Sequence, residues 1–290
     1  MGNRRRVRTG FLSFLAMATL AMAQVSNPGA ASNTAAPLQP TLPRNYALPD
    51  PFASQALAAS QDSGLQLWKQ LLPAAIADQK KIWTFPARLL QGHDWKPTLA
   101  VIGTTAALLA IDAPAAKHFR NTKSFRGFNR VFTGTDMAAA TAAIPVTEYV
   151  AGLVRHDPYM QQTAVYTAEA VLDSEIVATA LKEATYRQRP MDIPPGGNFS
   201  DSWAESPGLL KRVDGSFPSG HTVAALAVAT IIARRYPKHR WVPIAAYAFG
   251  ILVGFSRLAH SDHYPSDVFA GAALGYTISR FVVLGRVGGN

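Results

Sequence analysis

Cysteine is absent from the 290 residues, which removes disulfides, thiolate metal sites and a cysteine-linked lipid anchor together. Charge is sparse too: 16% of positions are Asp, Glu, Lys or Arg against 48% hydrophobic, a balance that a disordered chain does not have. The alternation of apolar and polar residues that marks a half-buried strand is not found in any convincing run. Also lacking beyond residue 97 is a long uncharged stretch. The best, 99–111 and 241–256, are about fifteen residues, short of the roughly twenty that a membrane span needs. No His-Glu-x-x-His or comparable group of metal ligands occurs.

What is abundant is positive charge, with 28 Lys and Arg against 18 Asp and Glu. Arg4, Arg5, Arg6 and Arg8 precede the apolar run 11–23, which closes in Ala21-Met22-Ala23; this is the three-part pattern of a secretory signal peptide over 1–23. Export through such a signal places the mature chain in a bacterial-type periplasm or in the membrane, facing the periplasmic side. The other cations are dispersed, with no helix of clustered Arg and Lys that could read a groove, so nucleic acid is not the expected partner. A modest basic surplus suits anionic phosphate substrates or an acidic membrane surface.

Residues 24–54, rich in Pro, Ala, Ser and Asn, read as a flexible leader. Over 55–96 the spacing of Leu65, Trp68, Leu71, Leu72, Ile76 and Ile82 predicts amphipathic helices, packed on a core or lying at a membrane surface. From 97 to 284 the apolar, Ala-rich stretches 97–111, 136–154, 162–188, 220–235, 241–258 and 266–284 predict an all-α bundle of about six core helices. Pro158, the loop 191–217, Pro237 and Pro265 punctuate it. Helix 162–188 carries Glu169, Asp173, Glu175 and Glu183, costly against lipid but permissible against a polar interior, so a membrane-embedded and a soluble bundle both remain open.

Three polar clusters stand at the ends of these helices. Lys182 precedes Arg189-Pro190 by two helical turns, which sets both cations on one face if the helix runs to the proline. Pro218-Ser219-Gly220-His221 opens the next apolar helix, with Ser219 as its expected N-cap and an anion-binding first turn. Ser256-Arg257 is followed by His263 and, four residues on, Asp267, a spacing that lets the carboxylate meet the imidazole and fix its tautomer. Hydrolysis of a phosphate ester needs positive charge around the equatorial oxygens, an in-line nucleophile and an acid for the leaving oxygen, and the three clusters supply each part. Glu175, seven residues before Lys182, is a candidate partner for it. His260, Asp262 and Tyr264 are candidate pocket residues. Phe125, Phe128 and Phe132 read as packing, and Phe199, Trp203 and Leu209 as contacts for a hydrocarbon chain.

The pattern Lys-x6-Arg-Pro, Pro-Ser-Gly-His and Ser-Arg-x5-His-x3-Asp resembles the phosphatidic acid phosphatase type 2 (PAP2) superfamily and is met at every fixed position, over roughly 97–284. The resemblance implies that His263 attacks phosphorus to form a phosphohistidine, that Asp267 orients it, and that His221 protonates the leaving oxygen and then activates water. It further implies that Lys182, Arg189, Arg257, Ser219 and Gly220 hold the phosphoryl oxygens at the joined ends of four helices. The implied substrate is a phosphorylated lipid or small phosphoester, with no metal and no cofactor required. The same cage also resembles that of vanadium-dependent haloperoxidases, where vanadate sits in place of phosphate, so that activity stands as an alternative. A non-catalytic envelope module that binds a phosphorylated ligand is a second alternative.

Overall fold

The structure is a computed structural model that describes residues 64–203 and 215–288. The expected signal peptide (1–23), the leader (24–54), the beginning of the segment 55–96 and Leu209 lie outside the described residues. Among the described residues there is no strand. α1 (Gly64–Trp83) and α2 (Phe85–Leu90) occupy the predicted amphipathic segment. The long elements that follow are α3 (Trp95–Asn121), α5 (Gly134–Val154), α6 (Pro158–Thr185), α7 (Gly220–Arg235), α8 (Trp241–Ala259) and α9 (Pro265–Thr277). A short α4 (Arg126–Val131) joins α3 to α5. At the C-terminal end α9 runs through a π-helical turn (Ile278–Val283) into α10 (Leu284–Val287).

Local chemistry sets several of these starts. Thr133 caps α5 by accepting from the Asp136 N–H. Asp157 caps α6 by accepting from the N–H groups of Tyr159 and Met160, with Pro158 in the first turn where its missing N–H costs nothing. At the start of α9 the Asp267 carboxylate accepts from the Tyr264 N–H at 2.8 Å, again with a proline, Pro265, in the first turn.

Two bounds differ from the sequence reading. α3 does not stop near Ile111 but continues through Asp112 and Pro114 to Asn121, 27 residues in all. α6 ends at Thr185 rather than at Pro190, because Tyr186 adopts a left-handed conformation (φ 44°) and returns its N–H to the Lys182 carbonyl. The residue before a proline is disfavoured in helical conformation, and Arg189 is accordingly extended. Lys182 and Arg189 therefore do not share a helix face.

α7 is the axis of the bundle. It is buried almost throughout and packs against α6, α8, α9 and α5, while α3 packs against α9 and α1 against α6. Val228, Ile232 and Tyr236 meet Val242 and Ala246 on one side of it; Ala227 and Ile231 meet Tyr166, Ala170, Val283 and Leu284 on another. Glycine permits the closest approach. A Cβ at Gly275 would lie 2.3 Å from the Val223 carbonyl oxygen, and one at Gly271 would lie 2.7 Å from that of Ser219, so α9 lies against the α7 backbone only because both positions carry hydrogen alone.

Among the described residues, four helical stretches are long and apolar enough to cross a membrane: Trp95–Asn121, Gly134–Val154, Trp241–Ala259 and Pro265–Val287. The short uncharged runs in the sequence understate them, since a helix continues through isolated polar residues that the bundle shelters. The first three carry exposed Leu99, Ile102, Val146, Val150, Ile244 and Ile251, apolar side chains that a membrane would cover.

Candidate active site

The polar residues gather where α6 and α8 end and α7 and α9 begin. His263 is 3% exposed, held in the short turn between α8 and α9. Its Nδ1 lies 2.8 Å from the Ser216 carbonyl oxygen. A carbonyl oxygen can only accept, so this contact favours a proton on Nδ1 and turns Nε2 away from it. Asp267 stands 3.7 Å from the same Nδ1, so the carboxylate does not meet the ring directly as the spacing suggested. Ser216 comes between them: its hydroxyl donates to Asp267 Oδ2 at 2.5 Å while its carbonyl takes the imidazole N–H.

Asp267 is instead gripped by Arg187, a residue that motif reading passes over. This guanidinium is 2% exposed. Its Nη1 donates to Asp267 Oδ1 (2.5 Å) and Ser266 Oγ (2.8 Å), its Nη2 to Asp112 Oδ2 (2.6 Å) and its Nε to Ser202 Oγ (3.3 Å). The rings of Tyr264 and Trp203 cover its two faces at 3.8 and 4.2 Å. Asp112 closes the network by accepting from the Ser266 N–H at 3.0 Å and from its hydroxyl. A signal for Asp112 was present: it is a lone carboxylate inside an apolar helix, which is expensive unless a partner waits for it. Ser216 and Ser266 carried none, because a serine in a loop or first turn is ordinary.

Arg257, 1% exposed, reaches in from the last turn of α8. Asp262 takes its Nη1 at 2.9 Å, the Phe132 carbonyl its Nη2 at 3.0 Å, and Ser256 Oγ accepts from Nε and Nη2. Ser256 and Asp262 thus hold the arginine in place. His260 spans between the Ser256 and Asn129 carbonyls (2.8 and 3.0 Å) and tethers α4 to the same turn. Arg189 approaches Arg257 closely enough for their charges to repel.

His221, in the first turn of α7, places Nε2 3.1 Å from the Gly134 carbonyl. Burial, then Arg257 and His263, push its pKa down to about 4, so the resting imidazole is neutral. Ser219 occupies the N-cap position, but its side chain caps no N–H; its oxygen accepts from Thr222 Oγ1 at 2.9 Å instead. The backbone N–H of Ser219 donates to the Asp267 carbonyl at 3.0 Å, which ties the start of α7 to that of α9. The space beside Gly220 is filled by Lys182 Nζ and the Glu175 carboxylate, 3.2 and 3.3 Å from where a Cβ would stand. Glu175 is therefore the neighbour of Lys182 that their spacing allowed, and burial raises its pKa while Lys182 opposes the rise.

The structure thus brings Lys182, Arg189, Ser219, Gly220, His221, Arg257, His263 and Asp267 to one end of the bundle. Other expectations resolve differently. Trp203 and Phe199 lie over Arg187 and Arg120, which gives them a structural task. Phe125, Phe128 and Phe132 pack with one another and Phe255. Asp78, Glu169 and Asp173, which no motif linked, meet within 4.8 Å around Arg286 and Gln79. Glu169 and Asp173 stand nine residues or more before Lys182 on α6, at least about 13 Å away along the axis.

An all-helical bundle with two histidines, a lysine and two arginines converging on a helix N-terminus defines a class of anion-handling site. Residues 163–287, which contain every fixed motif position, match the family model of the PAP2 superfamily. Over that stretch the chain is similar to members of that superfamily. It is similar to a lipid A 1-phosphatase of Rhizobium etli, 32% identical over 132 residues that make up 45% of this chain and 54% of that protein. It is also similar to an undecaprenyl-diphosphatase of Bacillus subtilis, 40% identical over 72 residues, 23% of this chain and 36% of the other. The chain spans about half the length of the first of these relatives. Among solved structures it is similar to a transmembrane PAP2-type phosphatidylglycerolphosphate phosphatase of Bacillus subtilis, 21% identical over 77% of this chain and 94% of that one, with a TM-score of 0.38. That likeness is too loose to carry an argument.

Proposed function

We propose that the chain is a membrane-embedded, metal-independent phosphohydrolase that cleaves phosphomonoesters or diphosphates of lipids or prenyl alcohols through a phosphohistidine on His263. The observation that carries this reading is the contact of His263 Nδ1 with the Ser216 carbonyl oxygen at 2.8 Å, which engages that nitrogen and leaves Nε2 as the one to attack. Lys182, Arg189, Arg257 and the first turn of α7 supply positive charge for the phosphoryl oxygens. Nε2 forms a bond to phosphorus as the ester P–O bond breaks, and His221 delivers a proton to the departing oxygen. In the second half His221 takes a proton from water, whose oxygen displaces Nε2 and releases inorganic phosphate. His221 is neutral at rest; a phosphate ester monoanion brings both the proton it needs and the negative charge that favours its imidazolium. Asp267 stabilises the charge that develops on His263 by way of Ser216 and through space.

The lipid A 1-phosphatase and undecaprenyl-diphosphatase relatives and the apolar outer faces of the candidate spans support an amphiphilic substrate. Arg4, Arg5, Arg6 and Arg8 followed by the apolar run 11–23 support export, with the site on the periplasmic side. Phosphate release from lipid phosphates, prenyl diphosphates and soluble phosphoesters by the purified protein tests the reading. The expected result is turnover that His263→Ala abolishes; turnover unchanged by that substitution contradicts it.

A further inference from the structure

Between α3, α6 and α9 runs a cavity of about 400 Å³, outside the site just described but ending on it. Along α3 its wall extends from Leu109 back to Val101, and along α9 from Ala270 forward to Thr277. Asp112 lies one turn from Leu109, and Asp267 one turn from Ala270; both belong to the Arg187 network beneath His263. The two walls therefore start at the level of the site and lead away from it for about 10–12 Å at ~1.5 Å per residue. The near end is lined by Leu181, Phe217 and Pro218, the residues immediately before Lys182 and before Ser219-Gly220.

The wall is apolar in effect as well as in composition. The hydroxyls of Thr105 and Thr277 donate to carbonyls of their own helices, at 2.8 and 2.7 Å, and offer a ligand little but methyl groups. Ile102, 57% exposed, and Leu109, 40% exposed, leave the groove open along α3, one of the helices long enough to cross a membrane. A groove that is apolar along its length and whose near end is lined by the chain neighbours of Lys182 and Ser219 fits one kind of molecule, an amphiphile with an anionic head and a hydrocarbon tail.

We infer that this groove holds one hydrocarbon chain of the substrate, with its phosphate delivered past Phe217 and Pro218 to His263. The inference rests on the phosphohydrolase reading and narrows it to substrates with a chain long enough to fill 10–12 Å. Bulk lipid, or the apolar run 11–23 of this chain, would occupy the groove without any link to turnover.

Two probes with one head group separate these cases: 1-palmitoyl lysophosphatidic acid and glycerol 3-phosphate, with farnesyl phosphate as an isoprenoid arm. Ala106→Trp and, independently, Ile102→Trp fill the groove from its exposed side. Ala107→Trp, on the same helix but outside the lining, is the control. The expected result is a loss in kcat/KM of roughly tenfold on the lysophosphatidic acid, the worth of about two buried methylenes, with glycerol 3-phosphate changed less than about twofold and the control silent on both. A parallel loss on farnesyl phosphate extends the site to isoprenoids, and no loss there assigns it to acyl chains. Equal losses on both head-group probes, or none on the chain-bearing one, overturn the groove assignment and leave the phosphohydrolase standing. If the wild-type protein hydrolyses none of the three compounds, both fall.

Discussion

Replacing Arg187 by methionine keeps most of the side-chain volume between Tyr264 and Trp203 but removes the charge that Asp112 and Asp267 share. Removing one partner of a buried ion pair costs about 3–5 kcal/mol. The lower end applies here, because each stranded carboxylate keeps two donors: Ser266 N–H and hydroxyl for Asp112, Ser216 hydroxyl and Tyr264 N–H for Asp267. A loss of about 3 kcal/mol is a large share of the roughly 5–15 kcal/mol that holds a typical domain together. Adding Asp112→Asn removes one stranded charge, so the double variant is expected to lose less than the sum of the single ones, by about 0.5–3 kcal/mol. Unfolding of the detergent-solubilised protein measures both. Turnover carries a separate signature. The donors of Arg187 are committed to Asp112, Asp267, Ser266 and Ser202, so kcat falls while KM holds, and Arg187→Lys, with one compact ammonium in place of a fork, rescues only part. A stability loss under about 1 kcal/mol, or a rise in KM at constant kcat, would refute this account and make Arg187 a phosphate ligand.

Other expectations follow from the same geometry. His221 has its folded pKa near 4 against about 6.5 unfolded. It therefore contributes stability that is complete above about pH 6.5 and is lost as pH falls toward 4, and His221→Gln should flatten that part of the stability profile. Gly275→Ala would press a methyl group onto the Val223 carbonyl and should destabilise by about 1–3 kcal/mol or more by forcing α9 from α7, seen as a lowered unfolding midpoint. Chelators should leave phosphate release unchanged; a loss restored by added metal would overturn the metal-independent scheme. Vanadate with peroxide and halide should inhibit phosphate release without oxidising halide, whereas halide oxidation in a protein inert to phosphoesters would favour the haloperoxidase alternative.

The helices were legible in the sequence because apolar periodicity survives any arrangement of the bundle: the stretches 136–154, 220–235 and 241–258 lie within a residue or two of α5, α7 and α8. Where the reading went astray, a local signal was outweighed by a distant one. Asp112 and Pro114 look like the end of a helix, yet α3 continues because Arg187, 75 residues away, receives the carboxylate. Pro190 looks like the end of α6, but Tyr186 turns the chain four residues earlier. The eight motif residues converge, since helix ends that carry them are joined by short turns or one loop. Their partners were not legible. Arg187 looks like one more cation beside Arg189, and nothing local reveals that it serves two carboxylates. Ser216 is positioned between His263 and Asp267 by a loop whose path sequence does not fix.

The central claim is covalent chemistry at one atom, His263 Nε2. The activated ester p-nitrophenyl phosphate needs no proton for its leaving group, so a His221→Gln variant should still be phosphorylated by it while failing to activate water. Phosphorylated protein should then accumulate in that variant. The account predicts acid-labile, base-stable phosphate, one per chain, on the peptide that contains His263. A nitrophenol burst with no protein-bound phosphate, or phosphate on any other residue, would contradict it.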